Sequence, residues 1–161
     1  GPREDFRVGM VWGGNPEHTN DAKRSIDPGL LKPLIQIPGV SIYSLQVSRD
    51  GEAKAVFGDA ITDLAPELKD FAETAAAIRN LDLVVSVDTA VAHLAGALGK
   101  PVWVVLPHPG DWRWMMGRDD SPWYPTMRLF RQSAPGDWGP VFGALKAALT
   151  EQAGGKKTDH A

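Results

Sequence analysis

The 161-residue chain contains no cysteine, which excludes disulfides, thiolate metal sites and cysteine nucleophiles and fits a reducing compartment. It also has no uninterrupted apolar run of 18 residues, so no segment reads as a membrane-spanning helix. The N-terminus lacks the charged, apolar and small-residue segments of a secretory signal, and a cytoplasmic setting is expected. Excess positive charge is missing too: 17 Lys and Arg against 20 Asp and Glu leave a net −3, the wrong sign to hold DNA or RNA through its phosphates. No Gly-x-Gly-x-x-Gly turn follows the first strand-like run, and no phosphate loop ending in Gly-Lys-Ser/Thr occurs. A Gly-x-Ser-x-Gly nucleophile elbow is likewise absent. His18, His93, His108 and His160 share no metal-ligand spacing, and there is no Asp-x-Asp pair to hold a divalent ion on a diphosphate. Neither a metal nor a cofactor is called for.

What is present is ordinary globular material, 43% hydrophobic and 23% charged, enough for one sizeable core. Gly1-Pro2 looks like the scar of a cleaved tag, so a domain cut from a larger protein is expected, with residues 3–152 as the folded unit and 153–161 as a polar C-terminal tail. Short apolar runs at Phe6–Trp12, Leu83–Val87 and Pro101–Pro107 read as buried parallel strands. Val40–Leu45 alternates and reads as another strand, Met127–Phe130 as a further one, and Ala60-Ile61-Thr62 as a weak one. Between them, Leu30, Leu31, Leu34 and Ile35 recur at helical spacing before Pro38-Gly39. Asp70 with Glu73 forms a capping-box-like start to a helix over Phe71–Asn80. Asp88-Thr89 opens a helix closed by Gly99, and a last helix runs from about Pro140 to Thr150. Strands alternating with helices predict an α/β, Rossmann-like three-layer domain with a mainly parallel sheet, whose ligands bind outside the carboxyl ends of the strands.

Unusual residues gather at that edge. Gly13, Gly14 and Asn15 follow the first strand, and Asp88, Thr89, Ala90, Val91, Ala92 and His93 follow the strand at 83–87. In a first helical turn, the amides of Thr89 to Ala92 lack intrahelical partners and carry the positive end of the helix dipole, an arrangement that suits a diphosphate. Asp88 reads equally as a plain N-cap. His93 lies on the same face as Thr89, and as a lone histidine in an apolar helix it reads either as a packed core residue or as a site residue. Arg24, with Lys23, ends the loop after the first strand and offers bidentate neutralisation of phosphate, or only solvated surface. The tryptophans of Asp111–Trp114 and Trp123 read as caps on the sheet or as the wall of a sugar or base pocket.

Taken in order, the stretches Val11–Pro16, Asn20–Ile26, Ser44-Leu45-Gln46, Asp70–Ala75, Leu81–Val87, Asp88–Trp103 and Asp111 through Tyr124-Pro125 to Gln132 resemble the carboxyl-terminal half of a B-type glycosyltransferase. The resemblance is nearest to the heptosyltransferase-like family found fused to tetratricopeptide repeats in bacteria. It implies two Rossmann-like domains face to face, with a nucleoside-diphosphate sugar held by this half through Gly13, Gly14, Asn15, Arg24 and the segment from Asp88 to His93. In the heptosyltransferases the Asp-Thr pair is usually followed by glycine, where this chain has Ala90. The resemblance further implies a catalytic base supplied by a missing N-terminal, acceptor-binding domain; the expected activity is inverting and metal-independent, with the helix amides and Arg24 stabilising the leaving diphosphate in place of a metal ion. A sugar-nucleotide epimerase-like domain, or a non-catalytic nucleotide- or protein-binding relic of the fold, are the alternatives.

Overall fold

A computed structural model describes residues 6–12, 28–46, 52–64, 67–87, 90–106, 127–131 and 138–159. Six strands form one sheet: β1 (Phe6–Val11), β2 (Val40–Ser44), β3 (Thr62–Asp63), β4 (Leu83–Val87), β5 (Val102–Leu106) and β6 (Met127–Arg131). Their spatial order is β3-β2-β1-β4-β5-β6, and every pairing is parallel. The helices are α1 (Lys32–Ile35), entered through a 3-10 turn at Pro28–Leu31, then α2 (Glu52–Phe57), α3 (Phe71–Arg79), α4 (Ala90–Ala97) and α5 (Gly139–Asp159). The α/β, Rossmann-like reading therefore holds.

The period of two along each strand sorts the core into two faces. Val8, Met10 and Trp12 of the first strand and its exit, with Leu83, Val85 and Val87 of β4, pack against Leu31 and Leu34, Phe57, and Leu145 and Leu149 of α5. The alternate residues Val11, Val84, Val102 and Val104 pack on the other face against Ile78 of α3 and Ala92 and Ala95 of α4. Burial on both faces explains why β4, apart from Ser86, and β5 are continuous apolar runs in the sequence. At the β6 edge the Arg128 guanidinium lies 4.7 Å from the Phe130 ring centre and 5.9 Å from that of Trp103, so a cation covers the apolar rim.

Local signals account for the helix ends. Asp70 Oδ1 accepts a hydrogen bond from the Glu73 amide at 2.8 Å, and Glu73 Oε2 accepts from the Lys69 amide at 2.8 Å, a capping box displaced by one residue on its return arm. α4 ends in a Schellman motif: the Lys100 amide donates to the Ala95 carbonyl and the Gly99 amide to that of Gly96, with Gly99 at φ 72°. Lys100 then reaches across, its Nζ donating to the Leu81 carbonyl at 2.7 Å and the Arg79 carbonyl at 3.3 Å, which ties the end of α3 to the end of α4.

Three expectations change. The run 52–64 holds α2 and a 3-10 turn as well as the short β3, where only a weak strand was read. Among the described side chains of α2, Phe57 is buried and Val56 is partly buried against the core, adjacent positions that make no helical period. The helix before Pro38 is split into a 3-10 turn and one α-turn, and Leu30 is exposed while Leu31 and Leu34 are buried. The last helix does not stop near Thr150 but continues to Asp159, through Gly154-Gly155-Lys156-Lys157 that read as tail. Ala153 is buried four residues after Leu149, so the stripe of Val141, Leu145 and Leu149 extends one turn further than composition indicates.

Gly9 sits in the centre of the sheet, where an added Cβ would lie 2.6 Å from a methyl of Leu81 and 2.7 Å from one of Leu45. Both leucines are buried, so Gly9→Ala is expected to destabilise the chain by about 1–3 kcal/mol through overpacking, read as a lower urea midpoint with an unchanged slope. Lys100→Met is expected to cost ~1 kcal/mol by freeing the two carbonyls, measured in the same way.

Candidate functional site

In a parallel sheet the connections that run in opposite directions from one strand leave a crevice at its carboxyl end. Here that strand is β1: its connection leads to β2 on one side, while β4, reached later, lies on the other. Val11 is level with Ser86, one residue before β4 ends at Val87. The chain therefore leaves β1 and β4 side by side, and α4 begins at Ala90, three residues after Val87.

Of the residues expected at this mouth, Gly13, Gly14, Asn15, Arg24, Asp88 and Thr89 lie outside the described residues, as do Trp112, Trp114 and Trp123. Ala90, Val91, Ala92 and His93 are placed in the first turn of α4. Ala92 is fully buried and belongs to the core of the second face, so it is a packing residue as well as a small one. Val91 and His93 are half-buried. The helix thus starts at the carboxyl edge, next to the exit of β1, and its first-turn amides have no intrahelical acceptors.

The sequence reading gave no role to three further polar residues. Among the described residues the buried polar side chains are Ser44, Gln46, Thr74 and Ser86. Thr74 is accounted for by α3, since its hydroxyl donates to the Asp70 carbonyl at 3.0 Å. The other three stand at the carboxyl ends of β2 and β4. Ser86 Oγ donates to the Val87 carbonyl at 2.6 Å. Gln46 Oε1 accepts from the Trp12 amide at 2.9 Å, and the Gln46 amide donates to Ser44 Oγ at 3.2 Å. Buried polar groups are the informative exceptions to an apolar core, and here they mark one edge. The sequence signal was the family-like stretch Ser44-Leu45-Gln46 directly after an alternating strand, which carries no indication of what either polar side chain contacts.

Trp12 is itself fully buried, its ring edge-on to Phe57 with centroids 5.7 Å apart. Its buried indole Nε1 finds no hydrogen-bond partner among the described residues. A cavity of about 460 Å³ lies elsewhere, between α3 and β2, lined by Tyr43, Leu64, Ala77 and Asn80 among others. Among the described residues no three His, Asp or Glu side chains form a metal-binding group, and no helix is long and apolar enough to cross a membrane.

Comparison with known proteins bears on the same edge. The chain is 31% identical to protein FlbA of Caulobacter vibrioides, over 90% of its own residues and 25% of that protein's. It therefore spans about a quarter of the length of the curated relative it matches. Residues 46–105, from Gln46 at the exit of β2 through β4 and α4 into β5, match glycosyltransferase family 9 (heptosyltransferase). The stretch that carries the strand and helix of the switch point is thus similar to glycosyltransferase family 9.

Proposed function

We propose that the chain is the donor-binding, carboxyl-terminal half of an inverting, metal-independent glycosyltransferase that uses a nucleoside-diphosphate sugar. The observation that carries this reading is the coincidence of two independent findings: the family 9 match covers residues 46–105, and the crevice between β1 and β4, with the start of α4, is where a Rossmann-like sheet takes its ligand.

In this reading the first-turn amides of α4 and the Arg24 guanidinium meet the diphosphate, whose charge grows as the bond from its oxygen to the sugar breaks. Fixed dipoles and one bidentate cation stabilise that charge where it develops. Asp88, Thr89 and His93 border the sugar and phosphates, and Gly13, Gly14 and Asn15 leave room for the nucleotide against the exit of β1. The base that removes the proton from the acceptor hydroxyl belongs to an acceptor-binding domain elsewhere in the natural chain, which also carries the tetratricopeptide repeats; the whole protein works in the cytoplasm.

Calorimetry with UDP, ADP and GDP in the absence of magnesium is expected to show binding of at least one of them, and an absolute requirement for a divalent ion would refute the metal-independent part. Arg24→Ala should weaken the diphosphate by about 1.5–3 kcal/mol, the worth of a charge-assisted contact, and the matching nucleoside much less. Equal losses for both would make Arg24 structural. Supplied with nucleotide sugars and acceptors, the chain alone should release no diphosphate in an acceptor-dependent way, because the positioned base is absent; such release would place the base within these 161 residues.

A further inference from the structure

In a parallel ladder the amides of alternate residues point to the same neighbour. Along β1 the Phe6 amide donates to the Gly39 carbonyl of the β2 side, so the amides of Val8, Met10 and Trp12 face β2 in turn. The Leu45 amide donates to the Met10 carbonyl at 3.0 Å. The regular next rung would run from the Trp12 amide to the Leu45 carbonyl. That rung is not made: the acceptor is the side-chain oxygen of Gln46, at 2.9 Å.

Ser44 explains the exchange. Its hydroxyl oxygen accepts from the backbone amide of Gln46, two residues on, at 3.2 Å, a side-chain turn at the point where the ladder of β2 stops. β2 ends at Ser44, and the Gln46 carboxamide folds back to take the amide that the backbone has left. Trp12, Ser44 and Gln46 are all at most 3% exposed, so water cannot substitute for the acceptor without opening the core. The amino end of β1 is held in a comparable way from its other neighbour, where the Arg7 amide donates to Asp82 Oδ2 at 2.8 Å. Side chains thus set both ends of the central strand.

We infer that Gln46 is a positioning residue for the switch-point site: its carboxamide, on a backbone whose amide the Ser44 hydroxyl holds, fixes the backbone of Trp12 and with it the place where the chain leaves β1. The nucleotide readout below rests on the donor-binding function proposed above, whereas the amide readout does not. Gln46→Met keeps the length and volume of the side chain and removes the acceptor. In the free chain, amide hydrogen exchange at Trp12 should become about tenfold faster, as expected for loss of one hydrogen bond, while the Leu45 amide keeps its protection. Gln46→Glu, which retains an oxygen at the same position, should restore the protection of Trp12. Ser44→Ala, which removes the turn but leaves the glutamine, should accelerate the same amide selectively and provides a second variant if Gln46→Met does not fold. Whichever nucleoside diphosphate the unaltered chain binds should bind Gln46→Met about tenfold more weakly, by the same bond lost. Unchanged exchange at Trp12 in both Gln46→Met and Ser44→Ala would overturn the inference, as would faster exchange with undiminished nucleotide affinity. Failure of the unaltered chain to bind any nucleoside diphosphate would count against the donor-binding function, and the exchange data would still decide the role of Gln46.

Discussion

Strand β1 has a parallel partner on each side, is covered by core residues on both faces, and has no free edge. Every other element is placed relative to it. The direction of the connections reverses at β1, which puts the crevice at its carboxyl end rather than beneath any of the outer strands. The same centrality limits which residues it tolerates: at Gly9 the side chains of Leu45 and Leu81 leave no room for a Cβ, and the amide of Trp12, just past β1, is held by a side chain where the ladder of β2 has stopped.

The two edges of the sheet are built for different purposes. At the amino edge the polar contacts are structural clamps. Asp82 and Arg7 exchange hydrogen bonds between β4 and β1, the Asp82 amide to the Arg7 carbonyl and the Arg7 amide to the Asp82 carboxylate. Lys100 ties together the ends of α3 and α4. At the carboxyl edge lie the buried hydroxyls of Ser44 and Ser86, the Gln46 carboxamide, the buried indole of Trp12 and the first turn of α4. The Gly99-Lys100-Pro101 part of the family-like stretch belongs to the first group, since Gly99 supplies a left-handed turn and Lys100 a tether. Its place in that stretch therefore reflects folding rather than ligand contact.

How far the sequence revealed this depended on whether burial leaves a pattern. β1, β4 and β5 were legible because a strand covered on both faces is a short, nearly continuous apolar run, interrupted here only by Arg7 in β1 and Ser86 in β4. The start of α3 was legible from Asp70 and Glu73, and the end of α4 from Gly99, because caps are local chemistry. α2 was not legible, since its described core contacts, Val56 and Phe57, are adjacent and show no helical period, and the end of α5 was not legible because Ala153 continues its stripe with a side chain too small to register. At the site, the sequence pattern opens the helix at Asp88-Thr89 with Thr89 to Ala92 in its first turn, whereas α4 begins at Ala90. The role of Gln46 was not legible, because it depends on where the ladder of β2 stops and on which amide past β1 is left without its backbone acceptor, a relation between residues 34 positions apart.

The most direct test of the account is a map of where a nucleoside diphosphate slows amide exchange along the chain. The account predicts protection confined to the carboxyl edge, at Trp12 and the residues after it and in the first turn of α4 from Ala90 to His93, with no change at Asn80, Asp82 or Lys100. Protection centred on the amino edge, or on the cavity between α3 and β2 around Tyr43 and Ala77, would contradict it.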